Sequence, residues 1–181
     1  MCAVRTARAE GAETMCTTVR RHGVLPSSLC AVLPLLLLAG CGGTEPLAAE
    51  SAVAHYDAVA ADLVEALESQ GLDVDLAPAT RLVAERDGRC AYDAGTWIPA
   101  RSVEDALRSE EGWGPWIAAA ESVLAEHGFE TVDAPEHAEG MLRIRTTDRH
   151  GAELTLDMTG QLRIWDAEVD AAPCDMAALG L

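Results

Sequence analysis

An apolar run near the start of the chain, residues 24–38, decides how much of the sequence is available to fold. Arg5, Arg8, Arg20 and Arg21 precede it, and the small residues Ala39 and Gly40 follow it. A positive segment, a short apolar segment and small residues, in that order, read as a secretory signal. Pro26, Ser27, Ser28 and Pro34 interrupt the run, which is also too short for a comfortable membrane span. Residues 1–40 are therefore expected to be a removable signal peptide. Starting at Met15 gives it a more usual length than starting at Met1. Arg20-Arg21 raise the twin-arginine export route, but His22-Gly23 match that signal poorly.

The residues that close this segment, Leu38-Ala39-Gly40-Cys41, resemble the lipobox of bacterial lipoproteins: an aliphatic residue, two small residues, then cysteine. The resemblance implies that the Cys41 thiol takes a diacylglyceryl group and that a peptidase cleaves just before it. Two acyl chains anchor stably where one binds only marginally. The resemblance also implies a cell-membrane location on the extracytoplasmic side, with the membrane as partner through the N-terminal diacylglycerol. The chain looks like the small lipoproteins of GC-rich bacteria, in keeping with its lack of Lys and Asn, whose codons are A-rich. The likeness covers residues 38–41 and bears on processing and location, not activity.

Cleavage there leaves Cys41–Leu181, with nine basic and 28 acidic residues and a balance of −19. Nucleic acid is excluded as a partner, because its binding needs a concentrated basic surface. Residues 41–46 read as a lipidated tether, and residues 47–181 as one domain long enough to bury a core. Cys2, Cys16 and Cys30 leave with the signal, and Cys41 carries lipid, so Cys90 and Cys174 remain. An even pair in an exported domain most simply forms a disulfide, the alternative being two free thiols. Its closed loop of roughly 85 residues would contribute on the order of 4–5 kcal/mol.

Periodicity gives the expected elements. Val53, Tyr56, Val59, Leu63 and Leu67 form one helical stripe that Gly71 would stop. Residues 80–86 and 89–98 flank the hairpin turn Asp87-Gly88. Ser102 to Asp105 resemble a capping box opening a short helix that Gly112 would end. A second long helix is expected from Pro115 to Gly128. Residues 129–132 form a short strand candidate, and residues 141–146, 153–158 and 161–166 read as an antiparallel meander. The order helix, hairpin, helix, three-strand meander predicts an α+β two-layer sandwich, with the helices packed on one face of a single antiparallel sheet.

Chemistry is sparse. GxSxG, HExxH, a phosphate loop and EF-hand spacing are all missing, so no catalytic residue, metal ligand or cofactor is assigned. His55, His127, His137 and His150 stand at no ligand spacing, and the acidic segments 136–139 and 166–170 read as solvated. The tryptophans of Gly112-Trp113-Gly114-Pro115-Trp116 are read as packing groups, with Trp113 the one expected to be most exposed. Alternation along the meander puts Leu142, Ile144, Leu162 and Ile164 inward. Arg143, Arg145, Arg163 and Trp165 then share the outer face, a candidate binding surface because Arg and Trp are enriched at interfaces. Cross-strand acids could instead neutralise these arginines. The functional expectation is a membrane-anchored binding or interaction module of the cell envelope, for an envelope protein or ligand of unknown identity. The alternatives are an envelope hydrolase and a structural or inhibitory lipoprotein that blocks a secreted factor.

Overall fold

The computed structural model describes residues 44–77 and 80–181; the signal segment and Cys41 lie outside the described residues. Helix α1, Ala49–Leu67, forms where Ala52, Tyr56, Val59, Ala60, Leu63 and Leu67 recur at helical spacing, and all six are buried. A 3₁₀ turn, Glu68–Gln70, and Gly71 at φ +93° end it in the left-handed conformation that glycine adopts most easily. Helix α2 is a single turn, Glu104–Leu107, and α3 runs over Glu110–Glu126.

The boundary between these two helices differs from expectation. Gly112 does not end a helix but lies inside α3, and Pro115 sits further along it rather than at its first position. The reason is a close approach of backbones. A Cβ on Gly112 would lie 1.9 Å from the Ala106 carbonyl oxygen, so only glycine lets α3 pack this tightly after α2. Trp113 consequently turns inward. It is fully buried, not exposed, and its Nε1–H donates to the Leu107 carbonyl at 2.9 Å.

The single sheet expected from the sequence is overturned. Among the described residues, ten strands form two sheets: β1 (Leu47–Ala48), β2 (Val74–Leu76), β3 (Leu82–Arg86), β4 (Arg89–Asp93), β5 (Gly95–Pro99), β6 (Glu136–Ala138), β7 (Met141–Thr147), β8 (Glu153–Asp157), β9 (Leu162–Trp165) and β10 (Ala167–Asp170). One sheet has four strands in the order β1-β10-β4-β3, the other six in the order β2-β5-β9-β8-β7-β6. Pairing is antiparallel except between β1 and β10. The architecture is thus not helices over one sheet but a more sheet-rich body.

Two bends create the second sheet. The segment 89–98, which reads as one strand, breaks at Ala94 into β4 and β5, and β9 breaks from β10 at Asp166. Gly95 takes φ +133°, and a Cβ there would meet Leu76 Cδ1 at 2.7 Å. Asp166 takes φ +63°. Pairing continues through the bends: Gly95 faces Ile164, Ala94 N–H donates to the Ile164 carbonyl at 3.0 Å, and Ala167 faces Tyr92. Strands that bend and change sheets in this way form the corners between packed sheets.

Charged side chains clamp the corner. Arg86 grips Asp93 through two hydrogen bonds of 2.7 and 2.8 Å and reaches Asp166 at 3.2 Å. Arg89 donates to Asp166 at 2.8 Å, and Asp166 N–H donates to Asp93 at 3.0 Å. Bidentate arginine–carboxylate pairing fixes orientation as well as charge.

The core joins the buried stripes of α1 and α3 to Leu142, Ile144, Leu154, Leu156, Leu162 and Ile164 of the meander. A disulfide links Cys90 on β4 to Cys174, four residues beyond β10. It fastens a C-terminal tail whose Leu179 is buried in the same core. Among the described residues, no helix is long and apolar enough to cross a membrane.

Candidate functional site

The meander places Arg143, Arg145, Arg163 and Trp165 on its outer side, opposite the buried Leu142, Ile144, Leu162 and Ile164. Two of the four are paired with acids, and the other two stack on each other. Arg143 donates to Glu136 on β6 at 2.9 Å, Arg145 pairs with Glu153 on β8, and Trp165 lies 4.5 Å beneath the Arg163 guanidinium. Among the described residues, Arg163 makes no ion pair within 4.0 Å. Thr155, between Arg145 and Arg163 across the sheet, is buried beneath these longer side chains. Much of the positive charge here is therefore spent on neighbouring acids, and Arg163 stacked on Trp165 is the part left to meet solvent.

A second constellation was not legible in the sequence. His55, in the middle of α1, meets Asp148 and His150 from the turn between β7 and β8, with one ligand atom of each lying within 4.8 Å of the others. The turn explains the pair. Asp148 Oδ1 accepts the backbone N–H groups of His150 and Ala152, both at 2.9 Å, and Gly151 at φ +76° completes the reversal. Its other oxygen, Oδ2, accepts the Tyr56 hydroxyl at 2.9 Å, so α1 supplies both the histidine and the group that orients the carboxylate.

The remaining contacts fix His150. Its Nδ1 donates to the Glu45 carbonyl at 2.5 Å, and Nε2 accepts from the Nε–H of Arg149, an exposed side chain, at 3.2 Å. Asp148 and His150 are both buried. The Nε2 of His55 is also buried and has no hydrogen-bond partner among the described residues. Burial lowers the His55 pKa; Asp148 opposes this, while His127, His150 and Arg149 add to it. Burial thus favours the neutral imidazole, which carries a lone pair on one ring nitrogen. Burial, followed by the neighbouring Asp148, pushes the Tyr56 phenol well above its ordinary value, so it remains a donor.

The other histidines stand apart. His127 ends α3 with its ring 5.8 Å from that of His55, but its Nε2 is directed to Asp62 at 2.8 Å. His137 is exposed, 3.9 Å from Glu110. The acidic segments are committed too, Glu136 to Arg143 and Asp166 to Arg86 and Arg89. Compared with protein-family models, with curated proteins and with solved structures, the chain matches none.

Proposed function

We propose that this chain is a lipid-anchored binding module on the extracytoplasmic side of a membrane, held there through Cys41. The observation that supports this most directly is the short distance from Cys41 to the folded body. The lipobox-like Leu38-Ala39-Gly40-Cys41 is followed almost at once by docked chain. Glu45 N–H donates to the Arg149 carbonyl at 3.1 Å, and the Thr44 hydroxyl bonds to Glu168. Three peptide steps from Cys41 to Thr44 reach at most about 10 Å. The edge formed by Thr44, Glu45 and the β7–β8 turn is then held next to the bilayer. An acidic domain gains nothing from anionic lipid, so attachment rests on the acyl chains.

On this reading the outer face of the meander, with Arg163 over Trp165, is available to a partner in the envelope. The test is metabolic labelling with a fatty acid, combined with membrane fractionation, for the wild type and Cys41→Ala. Label and membrane retention in the wild type, both lost in the variant, are expected. Absence of label from the wild type, or equal label in the variant, overturns the anchor.

A further inference from the structure

We propose that His55, Asp148 and His150 form a binding site for one divalent first-row transition-metal ion of the Zn²⁺ class. The proposal deepens the reading of the domain as a binding module by naming its ligand, and it does not depend on the anchor.

Four features of the cluster point the same way. The donor set, two imidazoles and one carboxylate, is one that Zn²⁺ and its neighbours favour, whereas Mg²⁺ and Ca²⁺ prefer oxygen alone. The separations fit as well. Bonds of about 2.0–2.1 Å place tetrahedral ligands roughly 3.3 Å apart. A triad already within 4.8 Å therefore has to close by at most about 1.5 Å at its widest pair.

The third feature is the support behind the ligands. Metal-bound histidines usually donate their second ring nitrogen to a carbonyl or carboxylate, and bound carboxylates are themselves hydrogen-bonded. His150 Nδ1 donates to the Glu45 carbonyl, which leaves Nε2 as the ligand atom. Asp148 is held by two backbone N–H groups and by the Tyr56 hydroxyl. The fourth feature is the Nε2 of His55, a buried polar atom with no hydrogen-bond partner among the described residues.

One contact competes. The Nε–H of Arg149 occupies His150 Nε2 and has to swing away when an ion binds. Its side chain is exposed and long, so the movement needs no change in the backbone. Three protein ligands leave at least one coordination position to water or a further ligand. That is the pattern of sites that exchange or react, not of closed structural sites.

The experiment uses the full chain, expressed for export and purified in detergent, and titrates it with ZnCl₂ in physiological salt with excess Mg²⁺. Calorimetry and metal analysis after dialysis are expected to give one Zn²⁺ per chain. Co²⁺ should show visible d–d bands that disappear in His55→Ala and in His150→Ala. Tyr56→Phe, which removes only the support of Asp148, should weaken Zn²⁺ binding about 10–100-fold. Should His150→Ala fail to fold, His55→Ala and Tyr56→Phe still decide. The site is overturned if the wild type takes up no stoichiometric Zn²⁺, or if folded His55→Ala binds as tightly as the wild type. Cys41→Ala, which removes only the proposed anchor, should keep the ion with unchanged affinity. Failure of the anchor and failure of the metal site are thus read in separate measurements.

Discussion

Replacing both Cys90 and Cys174 by Ser tests how much of this fold depends on its C-terminal fastening. The disulfide spans a sequence separation of 84, closing a loop of 85 residues. In the chain-entropy treatment, a loop of that length takes about 15 cal/mol/K from the unfolded ensemble, or about 4.6 kcal/mol at room temperature. Domains of this size are typically stable by about 5–15 kcal/mol, so the double variant should lose about 30% or more of its stability. The thermal midpoint should fall by roughly 10–18 °C. Urea unfolding followed by tryptophan fluorescence is a suitable assay, because Trp97, Trp113 and Trp116 are all buried. Release of the tail alone has a different signature. It would expose Leu179 and reduce the denaturant dependence before the main transition, since that slope follows the surface exposed. A loss below about 1 kcal/mol with an unchanged slope would refute the argument that the bridge acts through the unfolded chain.

Three further outcomes follow from individual contacts. Gly112→Ala should destabilise the protein by about 1–3 kcal/mol in thermal melts, because its Cβ meets the Ala106 carbonyl oxygen, whereas Gly114→Ala, with nothing within 4 Å, should cost far less. Burial raises the Asp93 pKa, but hydrogen bonds from Arg86 and the Asp166 N–H outweigh it and hold the group below its ordinary value. Its stabilisation is therefore present above the unfolded pKa of about 3.9 and lost as pH falls through the lower folded value, so Asp93→Asn should flatten the acid limb of a stability–pH curve below about pH 4. Arg163→Glu, at an exposed position, should cost within about 0.5 kcal/mol, and adding Trp165→Ala, which removes a half-buried ring, should lower the thermal midpoint only modestly, while the pair weakens capture of any envelope partner. A large fall in midpoint would contradict the outward placement of Trp165.

Local elements were legible where a single period ran unbroken. The stripe of α1 and the alternation of Leu142, Ile144, Leu154, Leu156, Leu162 and Ile164 appear in the fold as buried faces. The sheet count was not legible, because the two bends look like ordinary strand. Gly95 inside an apolar stretch is the signal that could have been used, since glycine within a strand often marks a bend or a close approach. Asp166 offers no such warning. Its left-handed conformation depends on Arg86 and Arg89, 80 and 77 residues earlier in the chain. Helix α3 was misplaced for a related reason. Gly112 reads as a stop by propensity alone, yet it is retained in the helix because α2 passes too close for a side chain.

The histidine cluster shows why ligand spacing is an incomplete guide. The turn signal was present in Asp148-Arg149-His150-Gly151, where an aspartate caps its own turn and presents a histidine two residues on. Its partner His55 lies on α1, more than ninety residues away, and only packing of α1 against the β7–β8 turn brings the three together. The same packing joins the two proposals at one residue. Glu45, four positions after Cys41, gives its carbonyl to His150 and its N–H to Arg149 O, and Arg149 is the side chain that must leave His150 for an ion to bind. An ion at His150 would therefore tighten the contact that docks the start of the folded body, on the edge placed nearest the bilayer. Zn²⁺ should then slow hydrogen exchange at the Glu45 amide in the wild type and leave it unchanged in His55→Ala. Equal exchange with and without the ion in a wild type that binds it would separate the site from the tether.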